Sequence, residues 1–405
     1  MADTINEAPK PGFVRLQLRT AYGPVFRHVS TSPPREARPD EIPVIDISGI
    51  NGGLQQRQEL AGVIKQASEN TGFFYIKNHG IPENVIDAAR EAAKMFFKQP
   101  MDKKLEVSKT RASTSTDTRP GERVKLRRVR AVFDYREAFM WQYDPKYDPE
   151  QKDLATIPEE VKPWLRGEDF VWNDTRHLPG FQDTCLVYWA ECLKLARKLV
   201  RIFALALDLS EDYFDRVTTY PGADGVFNFY PAMTFKQAMA STDVGIGSHT
   251  DLQCFTLLWQ DMIGGLQVLT KEGQWIKASP IEGTFVVNIG DYLMRLTNDR
   301  MKSTVHRVFN RSTVDRYVFP ILVLHCLLDK SALYAQYLLT IPLHRYSMPF
   351  FFGFNFNEKC GVLPSCVSEH NPARYEPVSC GDWCQLRFRQ TDNKIAAGTE
   401  PVTVA

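Results

Sequence analysis

Hydrophobic positions change their spacing along the chain. Apolar and polar residues alternate through Ile42-Pro43-Val44-Ile45-Asp46-Ile47, which predicts a short strand. The period then shifts to that of a helix through Leu60, Val63, Ile64 and Ala67, and a second strand follows at Gly72-Phe73-Phe74-Tyr75-Ile76. Pro82 stands at a helix start, and Val85, Ile86, Ala89, Ala93, Phe96 and Phe97 put one apolar face on a helix over 83–98. Between Phe181 and Leu209 a broad apolar face predicts a long central support helix. After Tyr220-Pro221-Gly222 the texture becomes short strands between Gly, Pro, Asn and Asp clusters: 226–230, 254–259, 266–269, 284–289, 304–309 and 349–356. Helices before and close-set strands after predict an α+β chain whose strands close into a sandwich or jelly-roll barrel, with the chemistry in the β half. Five phenylalanines, Phe350, Phe351, Phe352, Phe354 and Phe356, read mainly as core.

Two segments lack either period. Residues 1–40, with Pro33, Pro34 and Pro39, read as a loosely ordered arm, and the Ser, Thr and Arg-rich stretch 109–130 reads as a loop. Its basic cluster, Arg123, Lys125, Arg127, Arg128 and Arg130, has no interleaved stacking aromatics and reads as a solvated face rather than a nucleic-acid site. The expected organisation is therefore an arm, a helical N-terminal region over 41–220, a β core over 221–395 and a tail over 396–405.

Composition narrows the class. At 405 residues the chain can bury a large core, and 49 Lys plus Arg against 48 Asp plus Glu leave a net charge of +1. No global field exists to hold nucleic acid or an anionic membrane. The eight cysteines show no zinc spacing, Cys380 and Cys384 reading as ordinary reduced thiols, and the N-terminus has no charged segment leading into an apolar run. These features predict a cytoplasmic protein with a small-molecule substrate, no nucleic acid or membrane partner and no obligatory protein partner.

The candidate chemistry lies in His249-Thr250-Asp251 and in His306, within the strand-like run Ser303 to Phe309. If the triplet is extended, the imidazole and carboxylate two residues apart face the same way. Two imidazoles and one carboxylate on one face of a metal form the open site of non-haem iron(II) oxygenases. The triplet alone is weak, since eight histidines give about 0.5 chance occurrences of His-x-Asp at average composition. The bland reading is a pair of hydrogen-bonded histidines, with Asp251 a turn residue after Gly247-Ser248. His79, in His-Gly-Ile-Pro, reads as satisfying backbone groups in a turn. His28, His177, His325, His344 and His370 have no partner at metal spacing.

Taken together, these residues resemble the isopenicillin N synthase-like branch of the iron(II)- and 2-oxoglutarate-dependent dioxygenases, most closely its fungal members. The resemblance covers roughly 41–390: Ile42 to Asp46 and Gly72 to Ile81 look like the N-terminal region, and His249-Thr250-Asp251, His306 and Arg345-Tyr346-Ser347 look like the catalytic core. It implies a double-stranded β-helix in which His249, Asp251 and His306 bind Fe(II) as metal ligands and catalytic residues. It also implies that Arg345 and Ser347 hold the far carboxylate of 2-oxoglutarate, with O2 as the second cosubstrate. Tyr230, in Asn228-Phe229-Tyr230-Pro231, resembles a position that assists cosubstrate binding, with Asn228 beside it. A guanidinium offers two parallel donors to a carboxylate, and a serine two residues on shares its strand face. The implied activity is hydroxylation, desaturation or ring rearrangement of a small, largely apolar metabolite in fungal secondary metabolism, with release of succinate and carbon dioxide.

One segment departs from the pattern. In the family the arginine follows the second iron histidine by about ten positions, a spacing held here by Arg316, yet the Arg-x-Ser match comes at Arg345. Residues 317–345 thus form an unusual insertion: a lineage-specific excursion, a retained intron in the translation, or a helical hairpin on the barrel. Its apolar run is too short for a membrane span. Displacement of Arg345 by this segment would impair cosubstrate binding. Two rivals follow: an iron oxidase or cyclase of the same superfamily that needs no 2-oxoglutarate, and a catalytically impaired barrel that only binds. The 109–130 loop also lacks the family's glycine-tyrosine turn.

Overall fold

The computed structural model describes residues 10–20, 23–114, 136–151, 153–232, 246–309 and 344–387. Its strands are β1 (Phe13–Thr20), β2 (Gly23–Ser30), β3 (Arg35–Glu36), β4 (Val44–Asp46), β5 (Phe73–Lys77), β6 (Glu137–Trp141) and β7 (Pro221–Tyr230). The second half adds β8 (Ile246–His249), β9 (Phe255–Gln260), β10 (Leu266–Leu269), β11 (Trp275–Lys277), β12 (Thr284–Ile289), β13 (His306–Val308) and β14 (Arg345–Asn355). A major sheet runs β4-β5-β12-β9-β14-β7-β6 and a minor sheet β3-β11-β10-β13-β8. Helices α1 (Leu54–Asn70), α2 (Glu83–Phe97), α3 (Met101–Thr114), α4 (Asp169–Asn173), α5 (Phe181–Ala206) and α6 (Asp291–Leu296) complete the α+β jelly roll.

Strict alternation builds the cup. On β14, Met348, Phe350, Phe352 and Phe354 enter the main core beneath α5, whereas Arg345, Ser347, Pro349 and Phe351 face the interior of the barrel. Strand β6 repeats the division, with Phe139 and Trp141 in the core and Met140 facing inward. Helix α5 is pinned to the sheet at two buried points: Trp189 Nε1 donates to the Ala223 carbonyl at 3.0 Å and Tyr188 OH to that of Met348 at 3.1 Å. Each large apolar side chain buried there contributes about 1.5–3 kcal/mol, so the wall opposite the site is stiff.

Three expectations are corrected. The described part of the expected arm, 10–20 and 23–40, is not loose, because β1 and β2 form an antiparallel pair and β3 joins the minor sheet beside β11. Val14, Leu16 and Val29 pack on Leu269, Trp275 and Val305, and Arg27 donates to the Thr270 and Lys271 carbonyls at 2.7 and 2.8 Å. The period-2 alternation of Val14 and Leu16 with Arg15 and Gln17 signals this strand; the nearby prolines masked it. Next, the 41–220 region holds a strand beyond the two expected ones: β4 and β5 stand where the alternation predicts them, and β6, which the sequence reading lacks, forms the other edge of the major sheet. Finally, 109–114 of the expected loop is the end of α3, while 115–135, with the basic cluster, lies outside the described residues. So do 310–343, which hold Arg316 and nearly all of the insertion, and the tail.

Candidate active site

The minor sheet carries two imidazoles side by side. His306 on β13 is the register partner of His249 at the end of β8, with ring centroids 4.3 Å apart. His249 Nδ1 lies 2.8 Å from the Gly247 carbonyl and His306 Nδ1 lies 3.1 Å from that of Thr304. Each carbonyl can only accept, so each Nδ1 carries the proton and each Nε2 presents a lone pair to the cavity. Asp251 Oδ1 lies 3.8 Å from His249 Nε2 and 3.7 Å from His306 Nε2. Among the described residues, these three form the one His, Cys, Asp or Glu group whose ligand atoms lie within 4.8 Å of one another.

Strand β8 ends at His249, and Asp251 lies just beyond it in the segment leading to β9, held from behind by α6, where Asp291 N donates to the Asp251 carbonyl at 2.8 Å. Gly290 permits that approach, since a Cβ there would lie 2.2 Å from the Gln253 carbonyl oxygen. The carboxylate is then fixed by its second oxygen: Oδ2 accepts from Asn288 Nδ2 at 2.6 Å and from Thr256 Oγ1. Burial alone would raise the Asp251 pKa, but the two imidazoles and these donors outweigh it and hold the carboxyl below its usual range. Enclosure and the neighbouring His306 push His249 down to about 4, although 28% of its side chain faces the open cavity. Two neutral imidazoles and a carboxylate, each with its far atom tied, are a donor set suited to a divalent iron. The residues fit that ion.

At the other end of the same cavity, about 350 Å³ in volume, lies Arg345. Its side chain has 0% exposure, and its Nε and Nη1 have no hydrogen-bond partner among the described residues. Nη2 makes a long 3.5 Å contact with Gln260 Oε1, and the guanidinium carbon sits 4.5 Å from the centre of the Tyr230 ring. Asp261 lies near but is engaged elsewhere, accepting from Tyr346 N at 2.5 Å and Ile263 N at 3.1 Å, and burial raises its pKa. Strand register sets the row: Arg345 pairs with Tyr230 and Ser347 with Asn228, whose Nδ2 is 3.4 Å from Ser347 Oγ. Thus all seven sequence-selected residues border one cavity. The insertion does not displace Arg345, which sits in unbroken register at the start of β14.

Comparison with known proteins decides the family. Residues 42–160 match the N-terminal region described as non-haem dioxygenase in morphine synthesis, and 224–325 match the 2OG-Fe(II) oxygenase superfamily. A Metarhizium majus protein, the 2-oxoglutarate-Fe(II) type oxidoreductase ppzC, is 41% identical over 384 residues, covering 93% of this chain and 95% of that one. The chain belongs to the 2OG-Fe(II) oxygenase superfamily. An Emericella nidulans relative, the 2-oxoglutarate-Fe(II) type oxidoreductase hxnY, is 29% identical over 89% of this chain and 93% of that one. A full-length Neurospora crassa protein, solved in complex with alpha-KG and thymine, superposes with a TM-score of 0.65 at 26% identity, covering 88% of this chain and 99% of that one. This chain is an iron(II)- and 2-oxoglutarate-dependent dioxygenase of small molecules, using O2 as cosubstrate. The 2-oxoglutarate-independent rival is not favoured.

Sequence reasoning missed the residues that tie the others down. Thr256 and Asn288 hold Asp251, and Asn288 was visible as the single polar residue in the buried run Phe285-Val286-Val287-Asn288-Ile289. It also missed the cavity's charged wall, where Arg166 pairs with Asp224 at 2.6 Å and Arg136 reaches Asn228 Oδ1 at 2.8 Å. The structural reading of His79 agrees with its geometry: Nδ1 accepts from Ile81 N at 3.2 Å, and burial lowers its pKa. Cys380 and Cys384 are free thiols, and burial pushes the Cys380 pKa up.

Proposed function

We propose that His249, Asp251 and His306 hold the iron, that Arg345 and Ser347 bind the far carboxylate of 2-oxoglutarate, and that Tyr230 and Asn228 shape that subsite. The observation that carries this reading is the wholly buried Arg345 with two nitrogens that have no partner among the described residues, at the end of the cavity opposite the three metal-type ligands. A buried cation with unmet donors is costly, and a dianion that spans from the metal to this arginine removes the cost. When bound, iron(II) supplies oxygen activation coupled to decarboxylation of 2-oxoglutarate.

The chain's own residues do the rest. Gly247 and Thr304 carbonyls hold the proton of each neutral imidazole on Nδ1, which leaves Nε2 for the metal, and Asn288 with Thr256 keeps Asp251 Oδ2 occupied so that Oδ1 faces inward. Phe351, Met140 and Leu252 line the cavity and exclude water from the substrate's reacting carbon. We place the protein in the cytoplasm, oxidising a metabolite in a fungal secondary pathway without nucleic acid, membrane or an obligatory protein partner. The test is stoichiometry: turnover that requires added 2-oxoglutarate and releases one succinate per product supports the reading. Turnover undiminished without 2-oxoglutarate would overturn it.

A further inference from the structure

The cavity's charges do not balance once the cosubstrate is placed. Four arginines line it: Arg136, Arg166, Arg345 and Arg387. Arg166 grips Asp224 through two bonds of 2.6 and 3.1 Å, and Arg387 pairs with Asp291 at 3.0 Å, so both are neutralised. Resting on the reading above, iron(II) with Asp251 and the 2-oxoglutarate dianion with Arg345 together come to zero. Arg136 remains. Among the described residues it pairs with no carboxylate; its guanidinium donates only to the neutral Asn228 Oδ1 at 2.8 Å. It immediately precedes β6, and the cavity lining that it shares also carries the apolar Met140, Phe351 and Leu252. Its charge also acts on His249 across the cavity.

We propose that Arg136 is the substrate-reading residue and that the substrate is a small organic monoanion, a carboxylate with an apolar body. One uncompensated guanidinium in a part-buried wall matches one negative charge, and the fork geometry suits a carboxylate. Fixing that end orients the apolar body across Phe351 and Met140, with a carbon presented towards the iron. A charge-assisted hydrogen bond of about 1.5–3 kcal/mol corresponds to about a tenfold to hundredfold preference for the anion over a neutral isostere.

The test uses protein loaded anaerobically with manganese(II) and 2-oxoglutarate, titrated by calorimetry with carboxylate and amide pairs of graded size: butyrate and butyramide, hexanoate and hexanamide, phenylacetate and phenylacetamide. At least one acid is expected to bind about tenfold more tightly than its amide. The preference should vanish in Arg136→Gln and survive in Arg136→Lys, with 2-oxoglutarate affinity unchanged in both. Equal binding within every pair overturns the proposal. So does a loss confined to 2-oxoglutarate affinity in Arg136→Gln, which would give the guanidinium to the cosubstrate's near carboxylate instead. Failure of the wild-type protein to take up 2-oxoglutarate at all would remove the parent reading, a result distinct from equal binding of the pairs.

Discussion

The two ends of the cavity are built on opposite principles. At the metal end every group is already satisfied on its far side: each imidazole proton has a carbonyl, and one oxygen of Asp251 has two donors. At the arginine end the reverse holds, with a fully buried guanidinium whose Nε and Nη1 have no partner among the described residues. The contrast follows from what each end binds. A metal needs lone pairs aimed before it arrives, which requires tautomer and rotamer to be fixed by outer contacts. A dianion needs donors left open, and the protein carries their desolvation until the ligand comes.

Substitutions can break this contrast in graded fashion. The largest effect is expected from Asp251→Ala, which removes the only ligand carboxylate: iron uptake measured by metal analysis should fall to background, and activity with it. Next comes Arg345→Ala. Truncating one partner of a buried charge pair costs about 2–5 kcal/mol, so 2-oxoglutarate should bind about 30-fold to several thousandfold more weakly by calorimetry, while iron uptake stays near wild type. An equal loss of both ligands would mean that the two ends are not separable. Asn288→Ala should act at one remove, lowering iron affinity about 10- to 100-fold without abolishing it, as measured by competition with a chelator.

The smallest effect is in pH. His249 in the apoprotein titrates at about 4 against an ordinary value of 6.5, so the folded state binds fewer protons than the unfolded state between these limits. Stability conferred by the neutral imidazole is therefore full above about 6.5 and falls as pH drops towards 4. The melting temperature of metal-free protein should decline over that window, with a shallower decline in His249→Gln. Matching slopes for the two proteins would show that His249 is not held neutral by its surroundings.

Much of this was legible in the residues because periodicity and ligand chemistry are local properties. The 3.6 spacing of α2 and the short continuous apolar runs of β5 and β12 are written in single segments, and His249, Asp251 and His306 are residue types with few other reasons to cluster. What escaped depends on pairing across the chain. The pair of β1 and β2 gains its place only by covering Leu269, Trp275 and Val305, which lie in the other half of the sequence. Asp251 lies just past the end of β8, and its backbone is held there by Asp291 from the other side of β12, a contact that no local pattern announces. Arg345 could be chosen over Arg316 only by motif, whereas the register with Tyr230 gives it a physical place.

The central claim, one cavity that holds iron at one end and grips 2-oxoglutarate at the other, is tested most directly by visible spectroscopy without oxygen. Anaerobic protein with iron(II) and 2-oxoglutarate should develop a weak metal-to-ligand absorption band, at saturating levels for the wild type and only at far higher 2-oxoglutarate for Arg345→Ala. Absence of the band from wild-type protein that has taken up iron, or an identical titration for the Arg345 variant, would contradict it.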